Sequence, residues 1–317
     1  MEFDEFMEEW RDAATPYIIA RTSGSTGVPK SIRLDKEFVK QSALRTNRFF
    51  NITEGSRLHS CVAADYIGGK MMAVRADVAG CRFTWERPSN RPLAGIGNDE
   101  VIDLLAVVPS QMVHVLDNLE NMPEIRAVII GGSAISPQLF LRICESGLNA
   151  YETYGMTETS SHIAMRKIAS KQGNSCGEWF ETLEGITVEK DGRGCLVINF
   201  DSGETFVTND LAETNDGRHF KIKGRYDHVI ITGGKKVNPY EVEEKLAPYI
   251  NTPFVVTSEP HYKWGSAVVV RIEGNSCDIS EEELRSIMKT ILQPHEVAKK
   301  IEYVERLPRT ANGKIRR

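Results

Sequence analysis

IRAVIIGGSAISPQLFLRIC, residues 125–144, contains the reading on which the fold turns: an unalternating apolar run, a glycine pair and an amphipathic stretch opening on Ser136 and Pro137. Such a run suits a strand buried on both faces. Ser136 is a good helix cap, and Pro137 fits the first helical position, where its missing N–H costs nothing. Strand, glycine turn and helix in succession are the grammar of an α/β fold with a mainly parallel sheet. Toward the N-terminus, Tyr17 to Ala20 reads as a short strand, Asp35 as the cap of a helix running to Phe50, and Met71 to Ala79 as another helix, giving βα-type units. Past about Gly177 the pattern changes to short strands separated by DGRG (191–194) and NDG (215–217), which are antiparallel hairpin signals. From His228 the order is strand, helix (Pro239 to Leu246), two strands, a helix with the capping box Ser280-x-x-Glu283, strand and tail. The expected organisation is a large domain over 1–226, with a β-rich subdomain from about 177 to 226, and a small α+β lid over 227–317.

Bulk properties narrow the classes of function. The 317 residues carry a formal net charge of -5 and are 41% hydrophobic, which offers nucleic acid no global attraction. The acidic start, MEFDEFMEEW, has neither the basic nor the apolar region of a signal peptide, and no later run is long enough to cross a bilayer. A cytoplasmic enzyme is expected. Six cysteines lie far apart with no CxxC pair, which suits reduced, buried thiols better than a zinc site or a disulfide framework.

The sharpest local feature is TSGSTGVPK, residues 22–30, following the first strand. Thr22 opens the segment; Gly24 and Gly27 let backbone N–H groups converge on phosphate oxygens, Ser23, Ser25 and Thr26 add hydroxyl donors, and Lys30 adds a point charge. It nearly matches the Walker pattern, but Pro29 stands where that loop needs a flexible, N–H-bearing residue before its lysine. A different grip on triphosphate is implied.

Four further segments follow in order: YGMTE (154–158), TNDLAE (208–213), KGRYDHVIITGGKKVNPYEVEE (223–244) and LPRTANGKIRR (307–317). Together with the loop they resemble the five signature motifs of the adenylate-forming superfamily of acyl-CoA synthetases, peptide-synthetase adenylation domains and luciferases. Asn209 replaces a glycine of the TGDLA pattern. The resemblance implies an AMP-forming ligase with ATP, Mg²⁺ and coenzyme A as its small-molecule partners. It also assigns roles to individual residues. Tyr154 and Gly155 would lie against adenine, Thr157 would donate to the α-phosphate, and Glu158 would ligate Mg²⁺. Gly131, Gly132, Ser133 and Ala134 would border adenine and the acyl pocket, and Asp210 would accept the two ribose hydroxyls. Arg225 would reach ribose or phosphate, Asp227 would be the hinge, and Lys314 would bridge the acid's carboxylate and the α-phosphate. Gly233 and Gly234 would face the pantetheine channel.

The acid is read from a subgroup. The phosphate loop begins at Thr22, whereas a typical superfamily member carries a long region ahead of it. ADYIGGKMMAVRA, VVPSQMVHVL and YGMTETSSHIA look like bacterial o-succinylbenzoate-CoA ligases of menaquinone biosynthesis. That substrate keeps a second carboxylate after activation, so the pocket calls for a cation; Lys70 and Arg75 are candidates, each equally readable as a solvated surface charge. Tyr66 stands where many relatives have histidine and would wall the pocket. The shortened start leaves room for a homodimer. A free-standing adenylation domain and a decayed nucleotide-binding regulator are the competing readings.

Overall fold

The computed structural model describes residues 2–22, 30–169, 177–275, 279–309 and 315–317. The chain divides into two compact units, Met1–Thr187 with Asn199–Phe206, and Val188–Ile198 with Val207–Arg317. The expected boundary at 226/227 thus lies inside the second unit.

In the first unit, strands Arg57–Ser60, Arg82–Trp85, Leu104–Val107, Val128–Ile130 and Ala150–Met156 pair in parallel, in the spatial order 82–85, 57–60, 104–107, 128–130, 150–156. Helices Ile67–Ala79, Pro109–Asp117 and Pro137–Glu145 lie between successive strands in sequence. Both faces are covered, which is why the strands read as continuous apolar runs. Leu105, Val107, Val128 and Ile130 pack with Met112, Val115, Leu139 and Ile143. Their alternates Leu104, Ala106 and Ile129 pack with Met72 and Ala76. Strand Ser161–Ala169 then runs antiparallel to Ala150–Met156, followed by Phe180–Thr182.

Local signals set the helix ends. Asp35 accepts from the N–H groups of Glu37 and Phe38 and caps Lys36–Phe50, which stops at Asn51 in the left-handed region (φ 53°). Ser136 caps Pro137–Glu145 by accepting from the Leu139 N–H. One expectation changes. Tyr17–Arg21 is not part of a βα unit; it pairs antiparallel with Ser31–Asp35 in a separate two-stranded sheet, from Tyr17 opposite Asp35 to Arg21 opposite Ser31. The nine residues between these strands allow a hairpin and are too few for a parallel crossover, which needs about a dozen. A second correction concerns the thiols: Cys61, Cys81 and Cys195 are free, but Cys144 is disulfide-bonded, because proximity in space does not depend on sequence spacing.

In the second unit, the Asp210–Thr214 end of the strand Thr205–Thr214 pairs antiparallel with His219–Arg225 around a turn in which Gly217 has φ 73°. A five-stranded sheet follows, with Ile230–Thr232 between Lys235–Val237 and Gly265–Glu273, Phe254–His261 beyond the latter, and Lys300–Val304 parallel to Gly265–Glu273. Helices Pro239–Leu246 and Glu281–Ile291 bury Val242, Leu246, Leu284 and Met288 against Val256, Val268 and Val270. Among the described residues no helix is long and apolar enough to cross a membrane.

Candidate active site

In the first unit the carboxyl ends of the parallel strands gather the segments 61–66, 131–134 and 154–158, which is where open α/β sheets bind ligands. Gly131 and Gly132 leave the strand Val128–Ile130 beside the strand that carries Tyr154. A Cβ on Gly131 would meet Thr153 Oγ1 at 2.6 Å, and Gly132 has φ 91°, so both positions require glycine. Ser133 and Ala134 complete this turn. Gly155 is equally constrained: a Cβ there would lie 2.2 Å from the Ser161 carbonyl oxygen. Tyr154 is half-buried with its ring 5.8 Å from that of Phe180.

Thr157 and Glu158 sit in the tight turn between the strands Ala150–Met156 and Ser161–Ala169. Thr159 secures it, its hydroxyl contacting the Met156 and Ser161 carbonyls and accepting from the Met156 N–H. Ser160 and Ser161 have φ of 54° and 94°, left-handed conformations that non-glycine residues adopt at a cost. Glu158 is exposed and in no ion pair among the described residues, so its carboxylate oxygens are open to a hard cation; this donor suits Mg²⁺.

Beneath this turn lies Arg75, 1% exposed on helix Ile67–Ala79. Its Nη2 is 3.4 Å from Ser161 Oγ and 3.5 Å from His162 Nδ1, its Nη1 is 3.5 Å from the Met72 sulfur, and its Nε has no hydrogen-bond partner. No carboxylate pairs with it among the described residues. Thr46 donates to the Ser42 carbonyl and receives His162 Nε2–H at 2.9 Å, which leaves a lone pair on His162 Nδ1 toward the guanidinium. Burial, with Arg75 as the second cause, holds His162 well below the usual histidine range and therefore neutral. Burial pulls Arg75 itself down to about 9, still a cation at neutral pH.

The other candidate cation is used differently. Lys70, 2% exposed, donates to the Ile19 carbonyl at 2.8 Å, lies 3.7 Å from Glu9 and covers the Phe6 ring at 4.4 Å. Burial lowers its pKa and Glu9 opposes that shift. It ties the N-terminal helix Phe3–Arg11 to the core, and neither it nor Arg75 is a solvated surface charge. Tyr66 is the cap residue of helix Ile67–Ala79 and is 37% exposed. Of the phosphate loop, Thr22 and Lys30 are described: Thr22 N–H donates to the Lys30 carbonyl at 2.8 Å and Lys30 N–H to Thr22 Oγ1 at 3.3 Å, closing the neck. Ser23, Gly24, Ser25, Thr26, Gly27 and Lys314 lie outside the described residues.

The second unit holds Asp210, Arg225 and Asp227 in one chain of charge. Arg225 is directly opposite Asp210 in the antiparallel pair, donates to it at 3.2 Å, and grips both Asp227 oxygens at 2.9 Å. Hydrogen bonding from Arg225 holds Asp227 below the usual carboxylate range. Asn209, the departure from the motif, is also built in: its side-chain oxygen accepts from Arg193, which donates as well to the Thr208 carbonyl and to Asp191. Arg193 had no motif to announce it. Gly233 and Gly234, with φ of 55° and 77°, form the two-residue turn between Ile230–Thr232 and Lys235–Val237, as a tight hairpin requires.

The AMP-binding enzyme family profile matches residues 2–207, and that of the AMP-binding enzyme C-terminal domain matches residues 242–314. The chain belongs to the AMP-binding enzyme family. A 2-succinylbenzoate–CoA ligase of Listeria monocytogenes serovar 1/2a is 27% identical over 335 residues, covering 99% of this chain and 71% of that protein. One from Bacillus cereus (strain Q1) is 26% identical over 355 residues, covering 99% and 71%. A crystal structure of an acyl-CoA synthetase (AMP-forming)/AMP-acid ligase II-like protein from Dyadobacter fermentans is 31% identical with TM-score 0.64, covering 98% of this chain and 90% of that one. An o-succinylbenzoate CoA synthetase from Bacillus subtilis, solved with its acyl-adenylate intermediate, shares the fold with TM-score 0.79 at 22% identity, covering 94% and 67%. The family is one of ATP-dependent, AMP-forming ligases, and the α/β fold with a smaller C-terminal domain is theirs.

Proposed function

We propose that this chain activates o-succinylbenzoate with ATP to an acyl-adenylate, releasing pyrophosphate, and transfers the acyl group to coenzyme A, a step of menaquinone biosynthesis. The observation that carries the choice of acid is Arg75. A buried guanidinium whose described neighbours are all neutral is costly to keep unless something pairs with it, and a second carboxylate on the substrate is the matching charge. Two named relatives point to the same acid.

In this reading the substrate carboxylate attacks the α-phosphate in line, and no protein nucleophile is needed. Thr22, Lys30 and the loop between them stabilise the departing pyrophosphate. Glu158 would hold Mg²⁺, which would supply charge neutralisation on the phosphates. Thr157 donates to the α-phosphate, Lys314 bridges it to the acid, Tyr154, Ser133 and Ala134 flank adenine, and Asp210 with Arg225 receives the ribose. Movement about Asp227 then exchanges Lys314 for the Gly233–Gly234 turn in thioester formation. A homodimer and a cytoplasmic setting belong to the same proposal, and sedimentation of the full chain tests the first.

The deciding experiment is acid-dependent exchange of labelled pyrophosphate into ATP across a panel of acids, followed by thioester formation with coenzyme A. Response to o-succinylbenzoate above monocarboxylic aryl and fatty acids is the expected result. Exchange only with monoacids refutes the substrate, and exchange with no acid refutes the activity.

A further inference from the structure

At the same carboxyl end of the sheet, toward its edge, the strand Arg57–Ser60 runs parallel to Arg82–Trp85 with His59 beside Thr84 and Ser60 beside Trp85. The ladder continues one step further, Glu86 N–H donating to the Ser60 carbonyl at 3.2 Å, so the next residues, Cys61 and Glu86, are also brought together. His59 and Cys61 are two apart and face the same side of the sheet. The His59 and Glu86 ligand atoms are 3.9 Å apart, and all three ligand atoms of His59, Cys61 and Glu86 lie within 4.8 Å of one another.

The hydrogen bonding leaves a donor aimed into this group. His59 is 1% exposed. The Thr84 hydroxyl donates to the Leu58 carbonyl at 3.4 Å and so accepts from His59 Nδ1–H at 2.8 Å, placing the imidazole lone pair on Nε2. That atom is buried with no hydrogen-bond partner. Unpartnered buried polar atoms are rare in folded proteins, and a ring nitrogen oriented through its other nitrogen is the usual arrangement of a histidine ligand. Glu86 is oriented too, each of its carboxylate oxygens accepting from the Leu93 N–H, at 2.9 and 3.1 Å. Leu93 adopts φ 67° to reach it, a strained conformation for leucine. The Cys61 backbone is pinned by Ala106 on one side and Gln111 on the other.

The geometry points to a binding site for one divalent cation of the zinc class, with His59, Cys61 and Glu86 as its protein ligands. Nitrogen, sulfur and oxygen donors from three residues are the mixed set that zinc accepts, and a fourth position remains for water on the side of the partly exposed Glu86. A tetrahedral ion needs ligand atoms roughly 3.5 Å apart, so side-chain movement of about 1 Å completes the site. On binding, the Cys61 S–H bond breaks, a sulfur–metal bond forms, and one proton passes to solvent. The ion joins the edge strand Arg82–Trp85 to its neighbour at the carboxyl end of the sheet.

The test uses the metal-free full chain and cobalt(II), then zinc(II). One equivalent of cobalt should give a thiolate-to-metal charge-transfer band that zinc abolishes. X-ray absorption of the zinc form should show a single sulfur at about 2.3 Å beside nitrogen and oxygen near 2.0 Å. Cys61→Ala and His59→Gln should each weaken zinc binding by at least ~10-fold, and Thr84→Val, which frees the histidine's orientation, by about 10-fold. Absence of the thiolate band, or zinc affinity unchanged in Cys61→Ala, overturns the assignment. Should the variants not fold, absorption on the unaltered chain decides alone: no sulfur ligand, or more than one, refutes it.

Discussion

Replacing Arg75 by methionine separates a functional from a structural role for the buried cation. Burial pushes its pKa down, which means that the environment disfavours the charged form, at a cost of several kcal/mol for a buried and unpaired ion. Contacts with Ser161 Oγ, His162 Nδ1 and the Met72 sulfur, all at 3.4 to 3.5 Å, are long and neutral, and recover little of that. Methionine fills similar volume between Met72 and the sheet without a charge. Substituting apolar groups for buried ions commonly stabilises by about 1–4 kcal/mol, which raises Tm by several degrees here. The same change removes the partner of the substrate's second carboxylate. A buried charge pair broken on one side loses about 2–5 kcal/mol, a fall in kcat/KM for o-succinylbenzoate of about 30-fold to a few thousand-fold. Exchange with monocarboxylic acids, if measurable, should not fall. The assays are thermal unfolding and pyrophosphate exchange on the same preparation. A variant that is less stable and keeps its preference for the diacid refutes the argument, since Arg75 would then be part of the scaffold alone.

Lys314→Ala is expected to abolish adenylate formation while leaving thioester formation from supplied acyl-adenylate largely intact; equal loss of both steps counts against the two-position lid. Lys70→Met should lower Tm, because it unties Glu9 and the Ile19 carbonyl, yet leave KM for the acid within about twofold, reading it as an anchor and not a ligand. Gly155→Ala places a Cβ against the Ser161 carbonyl and His162 Cα, 2.2 and 2.5 Å away, and should cost about 1–3 kcal/mol, seen in denaturant unfolding together with loss of exchange. Asp227 has a folded pKa below its unfolded value, so its contribution to stability is present above the usual aspartate range and is lost as pH falls through the folded value. Asp227→Asn should flatten that acid limb in a pH series of unfolding midpoints; an unchanged limb refutes the pairing with Arg225 as its source.

Local chemistry made much of this protein legible from its residues. Ser136, Pro137 and Asp35 mark helix starts because capping is a matter of adjacent atoms, and the strand at residues 128–130 reads as buried because parallel strands are covered on both faces. TSGSTGVPK, YGMTE and the Gly233–Gly234 turn are contiguous, so the resemblance to the family's motifs could be read from the sequence directly. What depends on distance in space could not be read this way. Lys70 and Arg75 are five residues apart on one helix and look interchangeable in sequence, but one meets Glu9 and the Ile19 carbonyl while the other meets only neutral groups. Arg193 supports Asn209 across a hairpin with no motif to mark it, and Cys144 is bridged despite its isolation in the chain. His59, Cys61 and Glu86 come together only because two strands 25 residues apart pair in parallel and in register. Residue type and spacing determine which chemistry is available to the chain; the partner that tertiary packing places beside each side chain decides whether a charge serves the scaffold or is kept for a ligand.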